Sequence, residues 1–265
     1  MKGSVPLSTP DNAISIQNVT KLFWGIEAVS RCSFNINGGT VTGIIGPNGA
    51  GKSTLFNIIG GQYTPDFGDI LLGEKYITGF SPHQVAQRGL FRTFQVAHEY
   101  PRMTLIDNLK IAPINQKGES LFKNLFSPKQ VKIEDEIFEE KAIEILKILE
   151  LEHLKDQQAG FLSGGQKKLL EFGRILMSEP KIVLLDEISA GINRTLMQKL
   201  VTLIKKINKE KNITFCVIEH DMELVKELCD TVIVMTQGSV LAKGTFEEII
   251  GNKEVQEAYL GIESQ

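Results

Sequence analysis

Cysteine, tryptophan and long apolar runs are all scarce in this chain, and each shortage narrows what it can be. Three cysteines, Cys32, Cys216 and Cys229, occur in 265 residues. They show no C-x-x-C spacing, which argues against a disulfide framework or a thiolate metal site. Two of them sit in apolar contexts and read as small core residues. No stretch approaches the roughly 18 apolar residues that cross a bilayer. The N-terminal MKGSVPLSTPDN also lacks the apolar centre of a signal peptide, so the protein is expected on the cytoplasmic side. An excess of basic residues is missing too: a formal charge of −3 and a pI near 5.9 give no reason to expect a nucleic-acid surface. The chain does have 42% hydrophobic and 23% charged residues, a balance that buries a full core in one large domain, or in one domain with a sizeable insertion.

The most informative stretch is VTGIIGPNGAGKSTLF, residues 41–56. It contains G-x-x-x-x-G-K-S at Gly46, Gly51, Lys52 and Ser53. Without a Cβ at Gly46, Gly49 and Gly51, the backbone can curl and aim successive N–H groups at a polyphosphate. Those groups run into a helix N-terminus, where the macrodipole also favours an anion. Lys52 adds a full positive charge for the outer phosphates, and the Ser53 hydroxyl is placed to ligate Mg²⁺. The apolar run Val41, Ile44 and Ile45 ahead of the loop predicts a strand, and Leu55, Phe56, Ile58 and Ile59 after it predict a helix.

Along the chain, residues 1–12 read as a disordered leader. Alternation at Ile14, Ile16 and Val19, and again at Phe34 and Ile36, predicts two strands, with Lys21–Gly25 as a loop that carries Phe23 and Trp24. Trp24 is expected either in the core or, with Phe23, as a face for a nucleotide base. A strand at Ile70–Leu72, a turn, and a short helix capped by Ser81 with Pro82 in its first turn follow. Leu90–Gln95 reads as a strand ending in glutamine. Thr104 is a further N-cap, Lys117–Lys129 a polar loop, and Ile133–Leu151 an amphipathic helix. Ser163-Gly164-Gly165-Gln166 opens another helix, with Ser163 as its cap, and is a second candidate anion site. Lys181–Glu187 is an unbroken apolar run that ends in Asp186 and Glu187, and Ile213–Ile218 ends in Glu219-His220-Asp221. Both runs predict buried parallel strands whose polar C-terminal ends lie where α/β sheets place ligands. A hairpin through Gln237-Gly238 and helical pieces to about Leu260 complete the chain.

Taken in order, the phosphate loop, Gln95 after a strand, Leu162-Ser163-Gly164-Gly165-Gln166, the strand ending Asp186-Glu187 and the strand ending at His220 resemble the nucleotide-binding domain of ATP-binding cassette (ABC) transporters. The resemblance spans about Ile14 to Gly261. Phe91-Arg92-Thr93-Phe94-Gln95, Met103-Thr104 with Asp107-Asn108-Leu109, Ile218–Met222, Leu241–Gly244 and Ala258-Tyr259-Leu260-Gly261 are similar to the cassettes of the branched-chain amino-acid uptake family. Some relatives of that family serve urea or other small solutes. Proline usually follows the acidic pair of these cassettes; here Ile188 does, and Arg194 stands where proline is common after Ala190-Gly191-Ile192-Asn193.

That resemblance implies an α/β P-loop NTPase of the ABC type, with a mixed central sheet, an antiparallel β subdomain and an inserted α-helical subdomain. The expected division is a core at 13–100 and 162–245, an insertion at 101–161, and a C-terminal helical extension at 246–265. ATP and Mg²⁺ are the implied ligands. Gly46, Asn48, Gly49, Ala50, Gly51, Lys52, Ser53 and Thr54 would hold the phosphates, and Phe23 would stack on adenine. Ser53, Asp186 and Gln95 would serve the metal. Glu187 would orient the attacking water, with Lys52, Gln95 and His220 at the γ-phosphate. Ser163, Gly164, Gly165 and Gln166 would close over the ATP of a second subunit, identical or different, in a head-to-tail dimer. Separate transmembrane permease subunits would place the protein at the cytoplasmic face of the inner membrane, as the peripheral ATPase of an importer. The alternatives are the same role for urea or another polar solute, or a soluble ABC ATPase in iron–sulfur cluster assembly.

Overall fold

The computed structural model describes residues 12–93, 99–114 and 128–260. The expected leader up to residue 11, Gln95 and the part of the expected polar loop at 117–127 lie outside those residues. Two compact units make up the chain: Met1–Leu90, Lys181–Glu187 and Lys205–Gln265 form one, and Phe91–Pro180 with Ile188–Ile204 the other.

The first unit holds two sheets. In one, β1 (Asn12–Phe23), β2 (Ile26–Asn37), β4 (Phe67–Leu72) and β5 (Lys75–Tyr76) lie in the order β2-β1-β4-β5, antiparallel throughout. Alternating apolar residues set the register: Ile14 faces Ile36 and Leu72, while Ile16 faces Phe34 and Ile70. The expected loop at Lys21–Gly25 shrinks to Trp24-Gly25, and Lys21 to Phe23 extend β1. Both turn residues have positive φ, 49° and 85°, the twist that a two-residue hairpin loop needs to match its strands. Trp24 on that tip is 99% exposed, which removes it from the core. Asn12, expected in the leader, opens β1.

The second sheet is built from β3 (Val41–Ile45), β6 (Leu90–Arg92), β7 (Ile182–Asp186), β8 (Thr214–Ile218), β9 (Thr231–Thr236) and β10 (Ser239–Gly244), in the order β10-β9-β3-β8-β7-β6. β9, β3, β8 and β7 run parallel, and β10 turns back antiparallel on β9. Every residue of β3, β7 and β8 is buried, which is why these runs are apolar without alternation. The edge strand reaches only Arg92, short of the expected Gln95, and the boundary between the units falls inside it, after Leu90. Helix α1 (Lys52–Ile59) follows β3 and buries Leu55, Phe56, Ile58 and Ile59. Helix α2 (Pro82–Gln87) starts at Ser81 with a capping box to Gln84.

Cys32 and Cys216 are buried and Cys229 is partly so. Burial pushes the Cys32 and Cys229 thiols up to about 12, which keeps them protonated and unreactive, as expected of core residues.

The second unit contains α3 (Leu105–Lys110), α4 (Pro128–Ile148) and α5 (Gly164–Met177); α6 (Arg194–Lys211) begins in it and ends in the first. Helix α4 starts five residues ahead of the expected Ile133, with proline in its first turn. It ends just before Glu150, whose φ of 58° cannot continue a helix. This unit is wider than the segment 101–161 because α5 packs against α3 and α4. At Gly173 on α5, a Cβ would lie 2.7 Å from Leu149, 3.1 Å from Leu109 and 3.2 Å from Ile145. Among the described residues no helix is long and apolar enough to cross a membrane.

Candidate functional site

The parallel register brings the polar strand ends to one edge of the sheet. Ile44 pairs with Ile218, and Ile218 with Asp186, so the phosphate loop, Glu219-His220 and Asp186-Glu187 leave the sheet side by side. Adjacent strands are about 4.8 Å apart, which makes this edge a narrow row of loop amides, carboxylates and an imidazole.

Tight packing holds the loop. A Cβ on Gly46 would fall 2.1 Å from the Met235 carbonyl, and one on Gly51 2.3 Å from the Ala28 carbonyl, so only glycine fits at either place. Asn48 and Gly49 form the exposed crown, and Ala50 is buried beneath it. Gly51 is the N-cap of α1, and no side chain caps that helix. The first-turn amides of Lys52, Ser53 and Thr54 thus face outward without an intrahelical acceptor. Lys52 curls back over the loop, 6% exposed, its Nζ donating to the Gly46 carbonyl at 2.8 Å and the Pro47 carbonyl at 3.0 Å. Burial pulls its pKa down, while the charges of Glu187 and Asp186 push it back up; the two carboxylates therefore stand within electrostatic reach of the ammonium.

Asp186 is 3% exposed, at the end of β7. Glu187 follows with φ 50°, a left-handed backbone that costs a non-glycine residue about 1–2 kcal/mol. The bond from its N–H to the Ile218 carbonyl, 3.0 Å, pins it. The kink turns its side chain out of the strand's alternation, and Oε1 comes to 3.5 Å from Nε2 of His220. Strain of this kind is maintained where the surrounding structure over-determines it. Lys52, Asp186, Glu187 and His220, selected from separate motifs, are thus gathered at one edge.

Phe23, at the end of β1, meets Tyr63 edge to face at 5.3 Å, and the Lys21 ammonium lies 5.6 Å from its ring centroid. In the second unit, Ser163 caps α5: its Oγ accepts from the Gln166 N–H at 3.3 Å, and Gln166 Oε1 accepts from the Ser163 N–H at 2.9 Å. The Gln166 side-chain oxygen is therefore engaged in the cap. A Cβ on Gly164 would meet nothing within 4 Å, whereas one on Gly165 would strike Leu196; Gly164 is the outward face of this helix start.

Two supports of the loop escaped the sequence reading. The Gly238 N–H donates to the Ala50 carbonyl at 3.1 Å, and the Gly238 carbonyl accepts from the Ser30 N–H at 2.8 Å. Gln237-Gly238 announces a turn in the sequence, but nothing local says what that turn touches.

The chain is similar to known proteins over most of its length. A family model described as ABC transporter matches residues 29–190, and one described as branched-chain amino acid ATP-binding cassette transporter matches residues 239–263. The "Probable branched-chain amino acid transport ATP-binding protein LivG" of Archaeoglobus fulgidus is 39% identical over 94% of this chain and 96% of its own. The "High-affinity branched-chain amino acid transport ATP-binding protein BraF" of Pseudomonas aeruginosa is 36% identical over 94% and 97%. Among solved structures, the ADP conformation of an ATP-binding cassette of an ABC transporter superposes with a TM-score of 0.80 at 37% identity, covering 94% of this chain and 99% of that one.

Proposed function

Because this chain belongs to the ABC transporter family, we propose that it is the ATP-hydrolysing subunit of an importer for branched-chain amino acids, working at the cytoplasmic face of the membrane. The solute rests on the likeness to uptake ATPases for those amino acids and on the match at residues 239–263. The hydrolytic role rests chiefly on one observation, that Glu187, kinked to φ 50° and pinned to β8, stands beside His220 at the edge where Lys52 crowns the phosphate loop.

In this reading Lys52 and the amides from Asn48 to Thr54 hold the β- and γ-phosphates, and Phe23 receives the adenine ring on its face. Lys52 needs only to exchange two loop carbonyls for phosphate oxygens, so its charge is already positioned before ATP arrives. Mg²⁺ fits the residues present: Ser53 and Asp186 offer hard oxygen donors. Among the described residues no cluster of three His, Cys, Asp or Glu competes for it, which suits a metal that takes most of its shell from phosphate and water. Ser53 and Asp186 would hold the ion, which when bound neutralises the phosphate oxygens and draws electrons from the breaking bond. Glu187 accepts a hydrogen bond from the attacking water and takes its proton, while His220 and Gln95 hold the γ-phosphate and the water in line. The Ser163–Gln166 helix start closes on the ATP of a second cassette, identical or different, in a head-to-tail dimer. Residues 101–161 act as the inserted helical part that transmits closure to transmembrane permease subunits.

The test is Glu187→Gln, which keeps size and hydrogen bonding and removes the base. ATP affinity of the isolated protein is expected to persist, while hydrolysis in the assembled transporter falls by about 10²–10⁴. Near-normal turnover in that variant would take the role from Glu187.

A further inference from the structure

Directly after Glu187 the chain makes a turn that is fastened to the helix opened by Ser163. Residues 188–191 form that turn, and the chain passes from one compact unit to the other between Glu187 and Ile188. Lys168, half-buried on α5, reaches the turn with its ammonium, which donates to the Ile188 carbonyl at 3.3 Å and also to the Ala190 carbonyl. Hydrogen bonds from an ionised donor are about twice as strong as neutral ones. Two carbonyls that converge on one ammonium fix the planes of two peptides in the turn. Beyond it, the Ile192 N–H donates to the Ser189 carbonyl at 3.3 Å, and Asn193 Oδ1 accepts from the Leu196 N–H at 2.9 Å, capping α6. The start of α5 lies against the same segment, since a Cβ on Gly165 would fall 2.1 Å from Leu196 and 3.8 Å from Ile192.

We propose that Lys168 is a positioning residue for Glu187: by holding the Ile188 and Ala190 carbonyls, it ties the setting of the base to the helix start at Ser163. Glu187 is then held from both sides along the chain. Its own N–H is bonded to the Ile218 carbonyl at 3.0 Å, and the carbonyl of the next residue is bonded to Lys168. Only a few backbone torsions lie between these two fixtures, and they include the φ of 50° at Glu187. Removing the ammonium frees the downstream fixture, so the carboxylate loses its fixed aim while the phosphate loop is untouched. In the proposed dimer the same lysine joins two duties of one subunit, the base that serves its own ATP and the helix start that serves the other. This inference rests on Glu187 being the base.

The experiment compares the wild type, Lys168→Met, Lys168→Arg, Glu187→Gln and the Lys168→Met/Glu187→Gln double variant. ATP affinity, Tm and amide hydrogen exchange are measured on the isolated protein, and KM and kcat for ATP in the assembled transporter. Lys168→Met keeps the length of the stem and removes the charge. Its kcat is expected to fall about tenfold with KM and ATP affinity within about twofold, Tm within about 2 °C of the wild type, and the Ile192 amide exchanging at least about fivefold faster. Lys168→Arg, which can also donate to two carbonyls, should restore kcat to within about threefold of the wild type. In the Glu187→Gln background, Lys168→Met should cost nothing further, because the residue acts through the base. Normal kcat or unchanged Ile192 exchange in Lys168→Met overturns the proposal. So does a loss of kcat that is matched by lost ATP affinity or Tm, that arginine does not restore, or that persists in the double variant. Glu187→Gln separates the two levels: near-normal turnover there removes the base reading itself, whereas an inactive Glu187→Gln beside a normal Lys168→Met removes only the role of Lys168.

Discussion

At Gly51 a methyl group would have nowhere to go, since its carbon would sit 2.3 Å from the Ala28 carbonyl on a backbone at φ 93°. Gly49, at φ 80°, meets nothing within 4 Å. The two glycines of one motif are therefore constrained for different reasons, and alanine should separate them. Gly49→Ala carries only the left-handed backbone cost of about 1 kcal/mol and should keep measurable ATP binding. Gly51→Ala must also displace β2 or the helix start, so it should lower Tm further and abolish ATP binding; equal Tm values for the two would contradict this packing. At this scale the sequence was most legible where chemistry demands a residue type, as at Lys52, Asp186, Glu187 and His220. Tertiary contacts stayed hidden: the left-handed turn of Glu187 depends on the Ile218 carbonyl, and no local pattern announces a neighbour in another strand. Ile188, which departs from the family's usual proline, is buried at the start of the next segment. A proline there would steer the preceding residue toward extended conformations, away from the φ that Glu187 adopts.

The start of α3 shows how one side chain can hold an irregular segment against a helix. Asn108 is fully buried. It accepts from the Tyr100 N–H at 2.8 Å, and its amide donates toward the carbonyls of Tyr100, Met103 and Thr104 at 3.1, 3.3 and 2.9 Å. The same segment is fastened to α5 by the Glu99–Lys167 ion pair at 2.6 Å and by Arg174 over the Tyr100 ring at 5.1 Å. Tyr100 is half-exposed and has this internal attachment as well. Asn108→Leu leaves several buried backbone groups without partners and should destabilise the fold by about 2–4 kcal/mol in denaturant unfolding; a loss under about 1 kcal/mol would mean that water or backbone replaces the amide. Elements with a local signature were read well. Ser81, Thr104 and Ser163 each precede a helix and each accept a bond from the residue three positions on, because capping is a short-range interaction. Hairpin tips were read less well, since alternation continues through bulges such as those between Val19 and Leu22 and conceals how far a strand extends.

For the molecule as a whole, the proposed head-to-tail dimer would build each site from the phosphate loop of one subunit and the Ser163 helix start of another. Mixing Lys52→Ala subunits with Ser163→Arg subunits should create one composite site with both defects and one with neither. Each variant alone should be inactive, and the mixture with permease should regain up to about half of the wild-type ATPase rate per mixed dimer. Absence of rescue in mixed dimers shown to form would favour a site built within one subunit. The sheet order has a further consequence, for how the chain is made. β3 lies between β8 and β9, and the Gly39 N–H that precedes it bonds to the Thr214 hydroxyl, 175 residues later. At roughly 5–20 residues per second a ribosome needs about 9–35 s to cover that interval. The antiparallel sheet of residues 12–76 can assemble soon after it is synthesised, and with α1 it offers cover to Ile44 of β3, whereas both edges of that strand wait for partners. Synthesis therefore leaves β3 without either neighbouring strand until β8 and β9 emerge, and the nucleotide site is among the last parts of the protein to exist.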